Sequence, residues 1–247
     1  MLRFRLSTAP HLAVALALLA ACRTAGPAPA IDSALAARVP LGATALAFVD
    51  LDQLRVSPVA AHLPASITAL LEPFRDAHRV LIAARGVELL AIARGIVPGA
   101  TKAAPDVSLL GAPGLITAAT VEHLPSPLLA AAEPIARGRA IWVVAQGGIA
   151  LPLEGNLANV NTLLRDTETF TLTLDLADPL ALHLTAHCPS PEAALHFEQT
   201  LRAIVSLTAA TTRRQPERSA LWNSVQLSRE ATTVHVTAAL PPSALQF

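Results

Sequence analysis

Cysteine is nearly absent from this chain of 247 residues, which holds two, Cys22 and Cys188. Two thiols close one bridge at most, so stability must come from an ordinary apolar core and not from a disulfide framework. Lysine occurs once, at Lys102, tyrosine never, and aromatic residues make up 3% of the chain. Net charge is zero, and the arginines are scattered instead of gathered in a stripe. Nucleic acid is bound through clustered cations and stacked rings, so this composition argues against such a partner. Scarce rings argue equally against aromatic cages and sugar stacking. Familiar catalytic spacings are missing: there is no G-x-S-x-G elbow, no H-E-x-x-H and no paired C-x-x-C. Gly95, Gly99 and Lys102 stand in the wrong order and spacing to cradle a phosphate.

What is abundant is Ala, Leu and Val: 53% of residues are hydrophobic, 15% are charged, and mean hydropathy is +0.49. Part of that hydropathy lies at the N-terminus, where Arg3 and Arg5 precede an apolar run from Leu12 to Ala20. A bilayer-spanning helix needs about 20 apolar residues, so this shorter run reads as an export signal over 1–21. Leu19-Ala20-Ala21-Cys22 resembles the lipobox of bacterial lipoproteins. That resemblance implies cleavage before Cys22 and acylation of its thiol; the alternative is a plain secretory signal with a chance cysteine. Residues 22–39 begin with a Pro/Ala/Gly-rich stretch without apolar periodicity, as expected of a tether. With Cys22 acylated, Cys188 has no partner for a bridge within the chain.

Beyond the tether, two halves are expected, 40–150 and 151–247. In the first, Thr44–Leu51 reads as strand, leading into Asp52-Gln-Leu-Arg, then Ser57-Pro58 and a helical stretch reaching about Ala77. Arg79–Arg85 and Glu88–Arg94, separated by Gly86-Val87, read as a hairpin. Val107–Leu110 and Leu115–Thr120 read as short strands, Pro127–Arg137 as helix and Ala140–Ala145 as a buried strand. The second half reads ββαββ. Thr169–Leu176 and Leu180–Cys188 alternate apolar and polar, and a helix over Pro191–Thr211 carries Ala194, Phe197, Leu201, Ile204, Val205 and Thr208 on one stripe. Ser224–Ser228 and Thr232–Leu240 close the chain as a hairpin. Ser57-Pro58, Ser126-Pro127 and Ser190-Pro191 each suit a helix start, serine accepting a first-turn N–H while proline loses no hydrogen bond.

These patterns predict an α+β fold with helices packed on antiparallel sheets. The segments VDLDQLRVSP, IWVV, AHCPSPEAALHFEQTLRAI and VHVTAALPPSAL, taken together, resemble a class of uncharacterised bacterial lipoproteins with two ferredoxin-like halves. The resemblance implies a fold and brings no catalytic residues with it.

One cluster invites a metal: His183, His187, Cys188 and His235. His183 and His187 share a strand face but stand ~13 Å apart, at ~3.3 Å per residue. One zinc ion, with bonds of ~2 Å, cannot join them. His235 could lie beside one of them, with Asp175 near; Cys188 falls on the opposite, apolar face. No metal, cofactor or catalytic set is therefore expected. Glu122-His123 and Glu217-Arg218 read as solvated surface pairs. The sequence leads to a lipid-anchored envelope protein facing the periplasm, at the outer membrane. It is expected to be non-enzymatic, bound to the membrane through Cys22, with a protein-binding or assembly role. The alternative is carriage of an apolar small molecule between the halves.

Overall fold

The computed structural model describes residues 31–121, 126–148, 165–212, 219 and 222–242. Cys22, Glu122-His123, Glu217-Arg218 and the 150/151 boundary lie outside them.

Ten strands form one sheet: β1 (Ala45–Asp50), β2 (Ala77–Arg85), β3 (Glu88–Gly95), β4 (Thr101–Ala104), β5 (Val107–Gly111), β6 (Ile141–Gln146), β7 (Thr169–Asp175), β8 (Leu180–His187), β9 (Gln226–Glu230) and β10 (Thr233–Leu240). Their order is β4-β5-β3-β2-β1-β6-β7-β8-β10-β9, and the pairings are antiparallel. The α+β class expected from sequence is the one observed. Two ferredoxin-like halves are not shown, because β1 pairs with β2 on one side and β6 on the other, and β6 pairs with β7.

Helices α1 (Ser33–Ala36), α4 (Pro113–Ala119) and α5 (Pro127–Ala136) cover one face of β5-β3-β2-β1-β6. They lower Leu35, Leu115, Leu128 and Ala132 onto Leu46, Leu81, Ile92, Leu109 and Trp142. Each leucine so buried contributes about 1.5–3 kcal/mol by leaving water. The opposite face receives Leu51 and Leu54 of α2 (Leu51–Val56), together with Val59, over Val80, Ala93, Leu180 and Ala238. Helix α6 (Pro191–Thr211) covers that same face further along, setting Ala194 and Phe197 on Ala186, Cys188 and Val234.

Several local expectations need correction. Leu115–Thr120 is not a strand but the body of α4. Pro113 starts it with φ preset, and Leu115 and Ala119, four apart, are buried on one face. A short apolar run fits either period, and the proline was the deciding signal. The helical stretch expected from Ser57-Pro58 towards Ala77 is broken into a 3₁₀ turn at Ala60–His62, α3 (Ala65–Leu71) and a 3₁₀ turn at Glu72–Phe74, with α2 lying before it; Ala77 itself begins β2. Ser57 closes α2 instead of opening a helix, donating its hydroxyl to Leu54 O at 2.7 Å. Ser126 and Ser190 do cap α5 and α6, accepting from Leu128 N and Ala193 N, both at 3.2 Å.

Candidate functional site

Antiparallel register places paired residues on the same face, so the composition of the sheet can be followed rung by rung. One rung runs Ile92, Leu81, Phe48, Trp142, Thr173, His183, Thr237, Gln226. Its neighbour runs Leu90, Ala83, Leu46, Val144, Thr171, Thr185, His235, Ser228. The same face is therefore apolar up to β6, beneath α1, α4 and α5, and polar from β7 onward. Phe48 and Trp142 stack at 5.5 Å where the change occurs. Beyond them His183, His187, Gln226 and Ser228 are exposed and Thr171, Thr185, Thr233 and Thr237 half-buried.

The histidines of this face do not converge. His235 stands opposite Thr185, on the rung between those of His183 and His187, with Nδ1 3.2 Å from Thr185 Oγ1. His187 Nδ1 lies 3.1 Å from Thr233 Oγ1, and His183 Nε2 lies 3.9 Å from Asp175 Oδ2. Asp175 is thus the neighbour of His183 alone among them. Among the described residues there is no group of three or more His, Cys, Asp or Glu placed to hold a metal ion. Cys188 points to the other face and is 3% exposed; burial, then the charges of Asp166 and Glu168, push its thiol pKa up.

A charged row crosses one end of the polar-and-apolar face. Arg94 pairs with Arg79 and Arg79 with Asp50, each in phase with the apolar residues of its strand. Asp32, which caps α1, reaches the same place: its carboxylate accepts from Ala34 N at 3.0 Å and from Arg94 at 3.3 Å. Asp50 caps α2, accepting from Gln53 N at 3.0 Å and Gln53 Nε2 at 3.1 Å. Arg79 lies between the two carboxylates, 3.4 Å from Asp50 and 3.5 Å from Asp32. Arg139, just before β6, is paired with Asp175 and so joins this row to the histidine–threonine face.

Around these groups lies a cavity of about 370 Å³ lined by Asp32, Phe48, Asp50, Gln53, Arg79, Arg94, Gly138 and Arg139 among others. A second cavity of about 460 Å³ shares Gln53 and Gly138 with it and extends to Val56, Asp175 and Ala177. Together they form a trough along one end of the sheet. A third cleft, of about 170 Å³, is more apolar and lies between Leu51, Leu54, Leu63 and Leu71.

Sequence reasoning passed over Asp32, Asp50, Arg79, Arg94 and Arg139. A signal existed for three of them: Asp50, Arg79 and Arg94 occupy the inward phase of otherwise apolar strands, where an unpartnered charge is costly. Arg139 and Asp32 sit in connections, and only the folded chain brings them to the same cavity.

No protein-family model and no curated protein matches the sequence. Among solved structures, crystal form III of TP0453 is similar with a TM-score of 0.52 at 10% identity, over 85% of this chain and 95% of that one. Crystal form I of TP0453 is similar over 85% and 94% at 11% identity, with a TM-score of 0.48. At such identity the likeness to form III concerns the α+β fold alone. Among the described residues no helix is long and apolar enough to cross a membrane.

Proposed function

We propose that this chain is a lipoprotein of the cell envelope, held at the outer membrane by lipid on Cys22 and facing the periplasm, with a non-enzymatic protein-binding or assembly role. The observation that carries the binding role is the change of the sheet face at β7, from apolar rungs under helices to rungs of threonine, histidine, serine and glutamine, on which His183, His187, Gln226 and Ser228 are exposed, Thr171, Thr185, Thr233 and Thr237 half-buried and Thr173 buried. A partner laid on that face gains hydrogen bonds without stripping water from fixed charges, which is the more costly exchange. The Leu19-Ala20-Ala21-Cys22 sequence supports the anchor. Carriage of an apolar small molecule draws less support from the described residues, whose more apolar cleft, of about 170 Å³, is smaller than the ~300–1,000 Å³ of small-molecule sites.

Two measurements test this reading. Mass spectrometry of the mature N-terminus is expected to show a lipid-sized addition on Cys22 with no residue before it; a mature chain starting after Ala28 or Ala30 would refute the anchor. For binding, a photo-reactive residue at His183 or Ser228 is expected to cross-link an envelope protein in intact cells, while one at exposed Glu133 on α5 does not. Equal capture from all three positions, or none from the first two, defeats the assignment of the face.

A further inference from the structure

The arginine-lined end of the trough holds two carboxylates nearly closed to solvent, Asp50 with 9% of its side chain exposed and Asp32 with 10%. Each already accepts a backbone N–H at 3.0 Å. Between them they hold Arg79, at 3.4 and 3.5 Å, longer than ordinary N–H···O bonds. A guanidinium carries five donors in a planar fork, so Arg79 is kept in place by charge with most of its hydrogen-bonding capacity unused. Arg139 lines the same cavity of about 370 Å³; one nitrogen of its fork is paired with Asp175, which leaves the other donors of the guanidinium to a ligand. The carboxylates also keep capacity, since each offers about four lone-pair sites.

Asp32 caps α1, and Cys22 lies ten residues earlier in the sequence. Ten extended residues span roughly 35 Å at most. With Cys22 acylated, the cavity lies within that reach of the lipid headgroups. Guanidinium donors set beside carboxylates suit one chemistry present there in quantity, a phosphate joined to an ammonium. Resting on the Cys22 anchor proposed above, we infer that this cavity takes the headgroup of a zwitterionic aminophospholipid from the bilayer. Phosphate oxygens accept from Arg79 and Arg139, and the ammonium lies against Asp32 and Asp50.

The probe is glycerophosphoethanolamine, titrated calorimetrically into the mature protein purified in a phosphate-free detergent. Saturable binding of one molecule per chain is expected, with inorganic phosphate at least tenfold weaker. Arg79→Gln and Arg139→Gln should each weaken binding tenfold or more, with thermal melts confirming that each variant is folded. Should Arg79→Gln fail to fold, Arg139→Gln and the charge-keeping Arg79→Lys carry the test. No saturable binding overturns the inference, as does binding that survives both substitutions or equal binding of inorganic phosphate. Mass spectrometry of Cys22 on the same sample separates the two ideas. An acylated protein that ignores the probe sinks the headgroup site alone, and a binding protein without lipid sinks the anchor alone.

Discussion

Cys188 shows how a residue's chemistry follows from its phase along a strand. It continues the alternation of Leu180, Leu182, Leu184 and Ala186, which sends its thiol beneath α6 against Ala194 and Phe197. Nucleophilicity belongs to the thiolate, and burial with two nearby carboxylates opposes its formation. Alkylation by iodoacetamide should therefore be slow in the folded protein and fast in denaturant; equal rates would mean that α6 does not cover this thiol. Linkage gives the sign of the pH effect. The unfolded thiol ionises first, so stability contributed by the raised pKa is complete below the ordinary thiol value of about 8.5 and declines as pH rises above it. Cys188→Ala should remove that part of the alkaline decline. The inward phase of Cys188 was legible in the sequence. The cross-strand partners of the histidines were not, because they depend on a register that local patterns leave open.

Helix α6 was the most legible element: its stripe, its Ser190 cap and its span agree with the structure. Burial along it is uneven, however. Ala194 and Phe197 are fully covered, whereas Leu201, Ile204, Val205 and Thr208 are half-buried. The sequence stripe treats these positions as equal, since periodicity reports a direction and not how far the sheet extends beneath it. Phe197→Ala should therefore cost about 3–5 kcal/mol, and Leu201→Ala less, about 1–2 kcal/mol. Arg202→Ala removes exposed bonds to Glu198 and to Leu227 O of β9, worth about 0.2–1 kcal/mol. Denaturant midpoints of the three variants would check this order; a Leu201 loss equal to that of Phe197 would show deeper burial than the structure has. Helix α4 is the opposite case, where a run of six residues satisfied both periods and the deciding signal, Pro113, lay outside the run; the helix then packs Leu115 against Leu109 and Ile92.

At the scale of the molecule, the seam between β6 and β7 makes ten strands one sheet. Gly147 guards its end: a Cβ there would lie 1.5 Å from Thr167 O, while its N–H donates to Glu168 O at 2.7 Å. Gly147→Ala must push the strands apart and should lower stability by about 3 kcal/mol or more, within the range of backbone clashes at special positions. Because the core beneath α2 joins Val80 and Ala93 to Leu180 and Ala238 across this seam, tryptophan fluorescence and far-ultraviolet circular dichroism should follow one unfolding transition. Two resolved transitions would show that the seam does not couple the strands on either side.

Sequence alone determined what short-range physics controls. Apolar runs placed β1, β2, β3 and β6, and apolar alternation β7 and β8, to within two residues or so, and serine–proline pairs opened α5 and α6. Composition argued against nucleic acid, and the segment ending at Cys22 pointed to a lipid anchor. Tertiary structure decided everything that depends on register and strand order. It made one continuous sheet, turned the same face from apolar to polar at β7, and drew Asp32, Asp50, Arg79 and Arg139 around one cavity from four separate stretches of chain. The reason is physical: alternation tells which way a side chain points, but which strand lies beside it is settled by long-range pairing, whose closure entropy and packing no local window contains.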